Sequence, residues 1–147
     1  MSTRVTLEAN LTPALLEEAL PLVRAMHEEV MGVPLPGLNI DMLGNAATAG
    51  VLRVVFARDD AQMIGFMVLF VGPNLLGRKQ VTINQTYLTP AYRGLGHNPA
   101  VDMFQLAKSF AAGAGAQLLA MARGTTAADF FVGLGGVPAE LLLEFPE

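Results

Sequence analysis

Tyr87–Phe110 reads YLTPAYRGLGHNPAVDMFQLAKSF. It opens as the end of a strand, Val81–Leu88, turns at Thr89 and Pro90, passes through Arg93-Gly94-Leu95-Gly96-His97-Asn98 and enters a helix. Asn98 suits the N-cap, where its side-chain oxygen accepts the second or third orphan N–H of the helix. Pro99 follows at the first helical position, where its missing N–H costs nothing. A glycine loop feeding a helix N-terminus turns backbone N–H groups into one concavity, and the helix dipole adds positive potential there. The natural guest is a phosphate or pyrophosphate. Gly94 and Gly96 permit positive φ and a close approach of backbone to anion. The plainer alternative is a turn that only caps the helix.

Downstream, the helix Pro99–Ala112 places Met103, Phe104, Leu106, Ala107, Phe110 and Ala111 on one face and Asp102, Gln105 and Ser109 outside. Gly113 and Gly115 terminate it. Gln117–Ala122 is the next strand, and a strand, a crossover helix and a strand predict parallel neighbours. Thr125 or Thr126 starts a short helix through Asp129, Phe130 and Phe131, a turn follows at Gly133, Gly135 and Gly136, and Glu140–Phe145 is a last strand.

Upstream, Val5, Leu7 and Ala9 alternate with Arg4, Thr6 and Glu8, which predicts a half-buried strand. Thr12 caps a helix with Pro13 at its first position, and Pro21 inside that helix predicts a kink or a division. Met31–Leu38 is a loop rich in proline and glycine, and Asn39 caps a short helix, Ile40–Ala49, with Asp41 near its positive end. Val51–Arg58 and Met63–Val71 are strands joined at Asp59-Asp60, the second apolar on both faces and hence central. Gly72-Pro73-Asn74 breaks it. Val81, Ile83, Gln85 and Tyr87 then alternate with Thr82, Asn84 and Thr86, giving three antiparallel strands joined by hairpins.

The chain's 147 residues make one domain, 1–147, with a full core. Charged residues are 15% of the total, against roughly 25% in ordinary globular chains. So sparse a charge suits a face buried against a second copy or a larger assembly, or simply a hydrophobic small enzyme. A net charge of −4 argues against nucleic acid and anionic membrane as partners. The absence of cysteine excludes disulfides and a thiol nucleophile. His27 and His97 lie too far apart, among scattered carboxylates, to define a metal site. The N-terminal MSTRVTLEAN has no apolar leader core and no run reaches transmembrane length, so the expected location is cytoplasmic, in a bacterium or a phage-infected host, or else a virion.

The order β α α β β β α β α β, with Leu-Thr-Pro-Ala-Tyr-Arg-Gly-Leu-Gly between strand and helix, resembles the GNAT superfamily of acyl-CoA N-acyltransferases. The family's loop motif is written R/Q-x-x-G-x-G/A; Arg93 and Gly96 fit it and Asn98 replaces its last position. Ala128–Gly136 resembles the family's closing A-x-x-F-Y-x-x-x-G-F segment. The segments around His27, Asn39, Val51–Arg58 and Pro73-Asn74 also look like small GNAT-type proteins of tailed bacteriophages. The resemblance implies an α/β (α+β) fold with a mixed, mostly antiparallel sheet of about six strands and helices on both faces. The strands on either side of the loop helix would splay into a V that holds acetyl-CoA as co-substrate. It implies backbone contacts at Tyr87, Leu88 and Thr89 and pyrophosphate contacts at Arg93, Gly94, Gly96, His97 and Asn98.

Acyl transfer to an amine needs a base for the ammonium and an acid for the leaving thiolate. Many family members carry a Glu on the strand before the loop, where this chain has Asn84, Gln85 and Thr86, and a Tyr where this chain has Phe131. Amides orient and polarise but take no proton at neutral pH. The titratable substitutes are His27 and Glu28, beside Glu29 at the end of the first helix, and Tyr87 as an acid; a solvated helix end and a packed aromatic are the plainer readings of each. Two functions are therefore expected. One is an N-acetyltransferase moving an acetyl group from acetyl-CoA to an unknown primary amine. The other is a catalytically degenerate GNAT-fold interaction protein, a phage virion or assembly component.

Overall fold

The computed structural model describes residues 3–94, 98–122 and 125–139, with 143, 145 and 146. Ten elements appear among them. In order they are β1 (Thr3–Glu8), α1 (Pro13–Met31), α2 (Ile40–Thr48), β2 (Leu52–Asp59), β3 (Gln62–Pro73), β4 (Lys79–Leu88), a single 3₁₀ turn (Pro90–Tyr92), α3 (Pro99–Gly113), β5 (Gln117–Ala120) and α4 (Thr125–Gly133). The expected last strand, Glu140–Phe145, lies largely outside the described residues.

The helix starts follow from their caps. The Thr12 side chain accepts from Leu15 N, Asn39 from Met42 N and Asn98 from Ala100 N. Gly32 ends α1 with φ +73°, its N–H bonded to the Glu28 carbonyl. Pro21 does not divide α1. It takes one bond from the Glu17 carbonyl, but both residues are exposed and water can serve instead.

The sheet runs β1-β2-β3-β4-β5, antiparallel except for the β4–β5 pair. Two apolar clusters lie on its faces. One joins Val55, Ala57, Met67, Leu69, Val81 and Ile83 to Met103, Ala107 and Ala111 of α3, with Phe130 and Phe131 of α4 at its margin. The other joins Leu52, Val54, Phe56, Phe66 and Tyr87 to Leu16 and Ala19 of α1 and Ala47 of α2. β3 is buried on both sides, as its unbroken apolar run predicts. It also continues past Gly72, with Val71, Gly72 and Pro73 paired to Val81, Gln80 and Lys79, so the expected break there is replaced by a turn at 74–78. Asn74 makes that turn, accepting from Leu76 N and Arg78 N. In α3, Asp102 is half-buried rather than outside.

The alternation expected along Val81, Ile83, Gln85 and Tyr87 does not hold. Ile83 faces Leu69 across the ladder and Gln85 faces Val68, which leaves Asn84 as the extra residue of a β-bulge. A one-residue insertion moves every later side chain to the opposite face. Val81 and Ile83 therefore pack toward α3, whereas Tyr87 packs toward α1 and α2.

β3 crosses β4 closely at Gly65, where a Cβ would stand 2.7 Å from the Tyr87 carbonyl oxygen. That contact is backbone and cannot turn aside. Gly65→Ala is therefore expected to cost about 1–3 kcal/mol through strain, exceeding the gain of about 0.4–1 kcal/mol from a stiffer unfolded chain. Urea unfolding checks this: the midpoint should fall, and an unchanged or higher midpoint contradicts the packing described.

Candidate active site

The bulge at Asn84 coincides with the end of β4–β5 pairing. β5 pairs with Gln80, Val81, Thr82 and Ile83, and a last bond runs from Met121 N to the Ile83 carbonyl. β4 continues to Leu88 with β3 on one side and, among the described residues, no β5 partner on the other. The two parallel strands thus part at the Leu88 end, and α3 begins just beyond it. Thr89 N–H bonds back to the Ile64 carbonyl, so Thr89 faces β3. By alternation Tyr87 also faces β3, and the main-chain groups of Thr86 and Leu88 face the open edge. Of the three backbone contacts expected at Tyr87, Leu88 and Thr89, the edge presents Leu88.

The segment leading into the glycine loop is tied down on several sides. Thr89 Oγ1 donates to the Ile64 carbonyl at 2.8 Å. The Tyr92 hydroxyl donates to Asp59 in the β2–β3 turn. Arg93 Nε donates to the Leu88 carbonyl at 2.7 Å, and its two terminal nitrogens hold both oxygens of Glu29 at 2.8 and 2.9 Å. The same guanidinium lies 5.3 Å from the centre of the Tyr87 ring, which also stacks on Phe66. Arg93, expected at the pyrophosphate, thus joins the end of α1 to the end of β4. Gly94 follows with φ +73°, the conformation its lack of Cβ permits. Asn98 is the N-cap of α3, at 2.9 Å from Ala100 N. Gly96 and His97 lie outside the described residues.

Tyr87 is buried, and that burial, reinforced by the negative charge of Glu29, raises its pKa above the ordinary tyrosine value. It holds its proton throughout the neutral range. His27 sits apart from this group: its Nδ1 bonds the Val33 carbonyl at 2.8 Å, which makes Nδ1 the donor and ties the α1–α2 loop to α1. Glu28 is exposed on the last turn of α1, and it is the next residue, Glu29, that reaches the site. Phe131 packs against Phe104 and Phe130, in the apolar seam between α3 and α4.

Two features went unread in the sequence. One is the Glu29–Arg93 bridge, which joins residues far apart in the chain without a local signal. The other is Thr86 Oγ1, buried without a hydrogen-bond partner on the open edge of β4. Its only sequence trace is a polar Asn84-Gln85-Thr86 run in an otherwise alternating strand. On the opposite face a cavity of about 140 Å³ lies between the sheet, α1 and the α1–α2 loop, with Gln85 at its rim. Among the described residues no group of histidines and carboxylates could hold a metal, and no helix is long and apolar enough to cross a membrane.

No family model matches the sequence, and no curated protein matches it. Solved structures do match in shape. An aminoglycoside acetyltransferase from an uncultured soil metagenomic sample, in complex with trehalose, superposes with a TM-score of 0.78 at 13% identity, covering 99% of this chain and 95% of that one. A ribosomal-protein-alanine N-acetyltransferase from Brucella melitensis gives 0.73 at 14% identity, covering 99% and 100%. A predicted acetyltransferase with acetyl-CoA from Clostridium acetobutylicum gives 0.73 at 15% identity, covering 99% and 96%. The fold is that of the GNAT acyl-CoA N-acyltransferases, a mixed sheet with helices on both faces.

Arg93 holds the Glu29 carboxyl below its ordinary pKa, and Arg58 does the same to Glu18 through a hydrogen-bonded ion pair. A lowered carboxyl pKa contributes stability that is present above the unfolded value, about 4.3, and is lost as pH falls through the folded value. Both carboxylates are exposed to solvent, so each pair is worth up to about 1 kcal/mol. Glu29→Gln should flatten the fall in urea midpoint below about pH 4.3, while leaving the part due to Glu18. An unaltered acid limb would show that the Glu29–Arg93 bridge is not formed in solution.

Proposed function

We propose that this chain is an N-acetyltransferase that takes acetyl-CoA in the V between β4 and β5 and passes the acetyl group to a primary amine. The observation that carries the reading is the parting of β4 from β5 at Asn84 directly before a glycine loop and a capped helix. An open strand edge can take an extended pantetheine arm as an added strand, and a helix N-terminus favours the pyrophosphate. The orphan hydroxyl of Thr86 fits this: a buried hydroxyl without a partner is costly, and a polar ligand atom would relieve it. The matching structures of acetyltransferases, one of them with acetyl-CoA, support the same reading.

In the transfer, the amine nitrogen bonds to the acetyl carbonyl carbon and the carbon–sulfur bond breaks. The amine gives up one proton and the departing thiolate takes one. Gln85 orients the amine as a hydrogen-bond acceptor without removing its proton, which passes to water. Tyr87, its pKa raised by burial, supplies the proton for sulfur and regains one from water, which closes the proton balance. Arg93 and Glu29 fix the Tyr87 ring and the loop entrance, and His27 holds the α1–α2 loop by way of Val33. Catalysis then rests mainly on positioning.

Thiol release from acetyl-CoA in the presence of amines tests this. The rate should rise about tenfold per pH unit below the acceptor's own pKa, because the neutral amine is the reactant. His27→Gln should preserve that profile and change the rate modestly; a loss of about 10²-fold or more would make His27 the base. Thr86→Val should raise the KM for acetyl-CoA roughly 3- to 10-fold, the worth of one hydrogen bond, while thermal stability stays level or rises. If KM is unmoved, Thr86 is not in the site.

A second reading keeps the fold without the chemistry, as a virion or assembly component. The sparse charge and the exposed Leu75 and Leu76 at the β3–β4 turn favour it. It requires that no amine be acetylated at any pH and that the protein co-purify with a large particle.

A further inference from the structure

The cavity beside Gln85 bears on the acceptor. Its volume is about 140 Å³ and it is walled by α1 on one side and the sheet on the other. Leu16, Val23 and Met26 face Phe56 and Phe66 across it. Among the described residues that line it, Gln85 carries the only polar side chain, and none is charged. Gln85 is itself exposed, so the polar group stands at the rim while the interior is hydrocarbon. A cavity of about 150 Å³ lined by aliphatic and aromatic side chains stays dry and admits a benzene-sized molecule. The same bulge that opens the V turns Gln85 away from Val81 and Ile83, onto the cavity face of β4. The rim of the cavity at Gln85 therefore adjoins the open edge of β4, which begins at the next residue, Thr86.

From this we infer that the acceptor is a primary amine bearing one compact apolar group, of about the size of a phenyl ring. That group enters the cavity and leaves the amine at Gln85, beside the thioester. The inference rests on the transferase reading above. An ammonium driven into this interior would lose its water and find no carboxylate, a penalty that excludes polycations. At the rim the nitrogen keeps both water and the Gln85 amide oxygen, and it can shed its proton to solvent.

The test uses the full chain, acetyl-CoA and three amines compared at equal concentrations of neutral amine: phenethylamine, ethylamine and kanamycin. Phenethylamine should exceed ethylamine in kcat/KM by about 100-fold or more, since even one methylene in such a pocket is worth about 10-fold or more. Kanamycin should be the poorest. Ala19→Leu fills part of the cavity and should narrow the ratio of phenethylamine to ethylamine. Should that variant fail to fold, benzyl alcohol added to the wild type serves instead: it should raise the KM for phenethylamine and leave that for ethylamine. A preference for kanamycin, or equal rates for phenethylamine and ethylamine, overturns the inference while the transferase reading stands. If acetyl-CoA does not bind, the transferase reading falls. Calorimetry with phenethylamine alone then decides the cavity: binding abolished by Ala19→Leu upholds it, and absence of binding overturns it.

Discussion

One inserted residue governs the geometry of this protein. With Asn84 bulged out of β4, the strand changes its two faces and parts from its parallel neighbour at the same point. Without the bulge, Gln85 and Tyr87 would continue the row of Val81 and Ile83 into the α3 core. An exposed glutamine there would lose hydrogen bonds that an apolar core cannot replace. The bulge sends both to the α1 face, and leaves Thr86 and Leu88 facing the gap. The opening between β4 and β5 and the polar rim of the apolar cavity are thus consequences of a single register change.

The segment that follows β4 must then be held without a strand on the β5 side. Thr89, Tyr92 and Arg93 supply bonds to β3, to the β2–β3 turn and to α1 respectively. Each exposed pair is worth little alone, up to about 1 kcal/mol. Their use lies in direction: they approach the segment from different sides, so the entrance to the glycine loop has one position. Arg93 does most of this, spanning Leu88, Glu29 and the Tyr87 ring at once. Its planar, five-donor head can satisfy all three, which a lysine ammonium could not do in the same geometry.

Local chemistry was the legible part of the sequence. Thr12-Pro13, Asn39 and Asn98-Pro99 cap their helices as their side chains dictate, because capping is settled within a few residues. The two-sided apolar run of β3 placed it centrally, and the strand–loop–helix–strand order anticipated the parallel β4–β5 pair. What escaped reading was non-local or a matter of count. A bulge has no residue type of its own, so the alternation through Gln85 and Tyr87 looked regular. Glu29 and Arg93 meet only once α1 lies across the end of β4, and Glu28 was singled out in its place. The Gly72-Pro73 pair looked like a strand end, yet β3 pairs through it to the edge of the turn. The apolar cavity is invisible in sequence because Leu16, Val23, Phe56 and Phe66 read as ordinary core.

We propose that the parted end of β4 and the loop after it take acetyl-CoA. Calorimetric titration of the full chain with acetyl-CoA, repeated with acetyl-pantetheine, tests it most directly. Acetyl-CoA should bind one-to-one with a Kd between about 1 μM and 1 mM, the range of ordinary enzyme substrates, and acetyl-pantetheine, which lacks the pyrophosphate, much more weakly. Absence of heat at millimolar acetyl-CoA, or equal affinity for the two compounds, would contradict it.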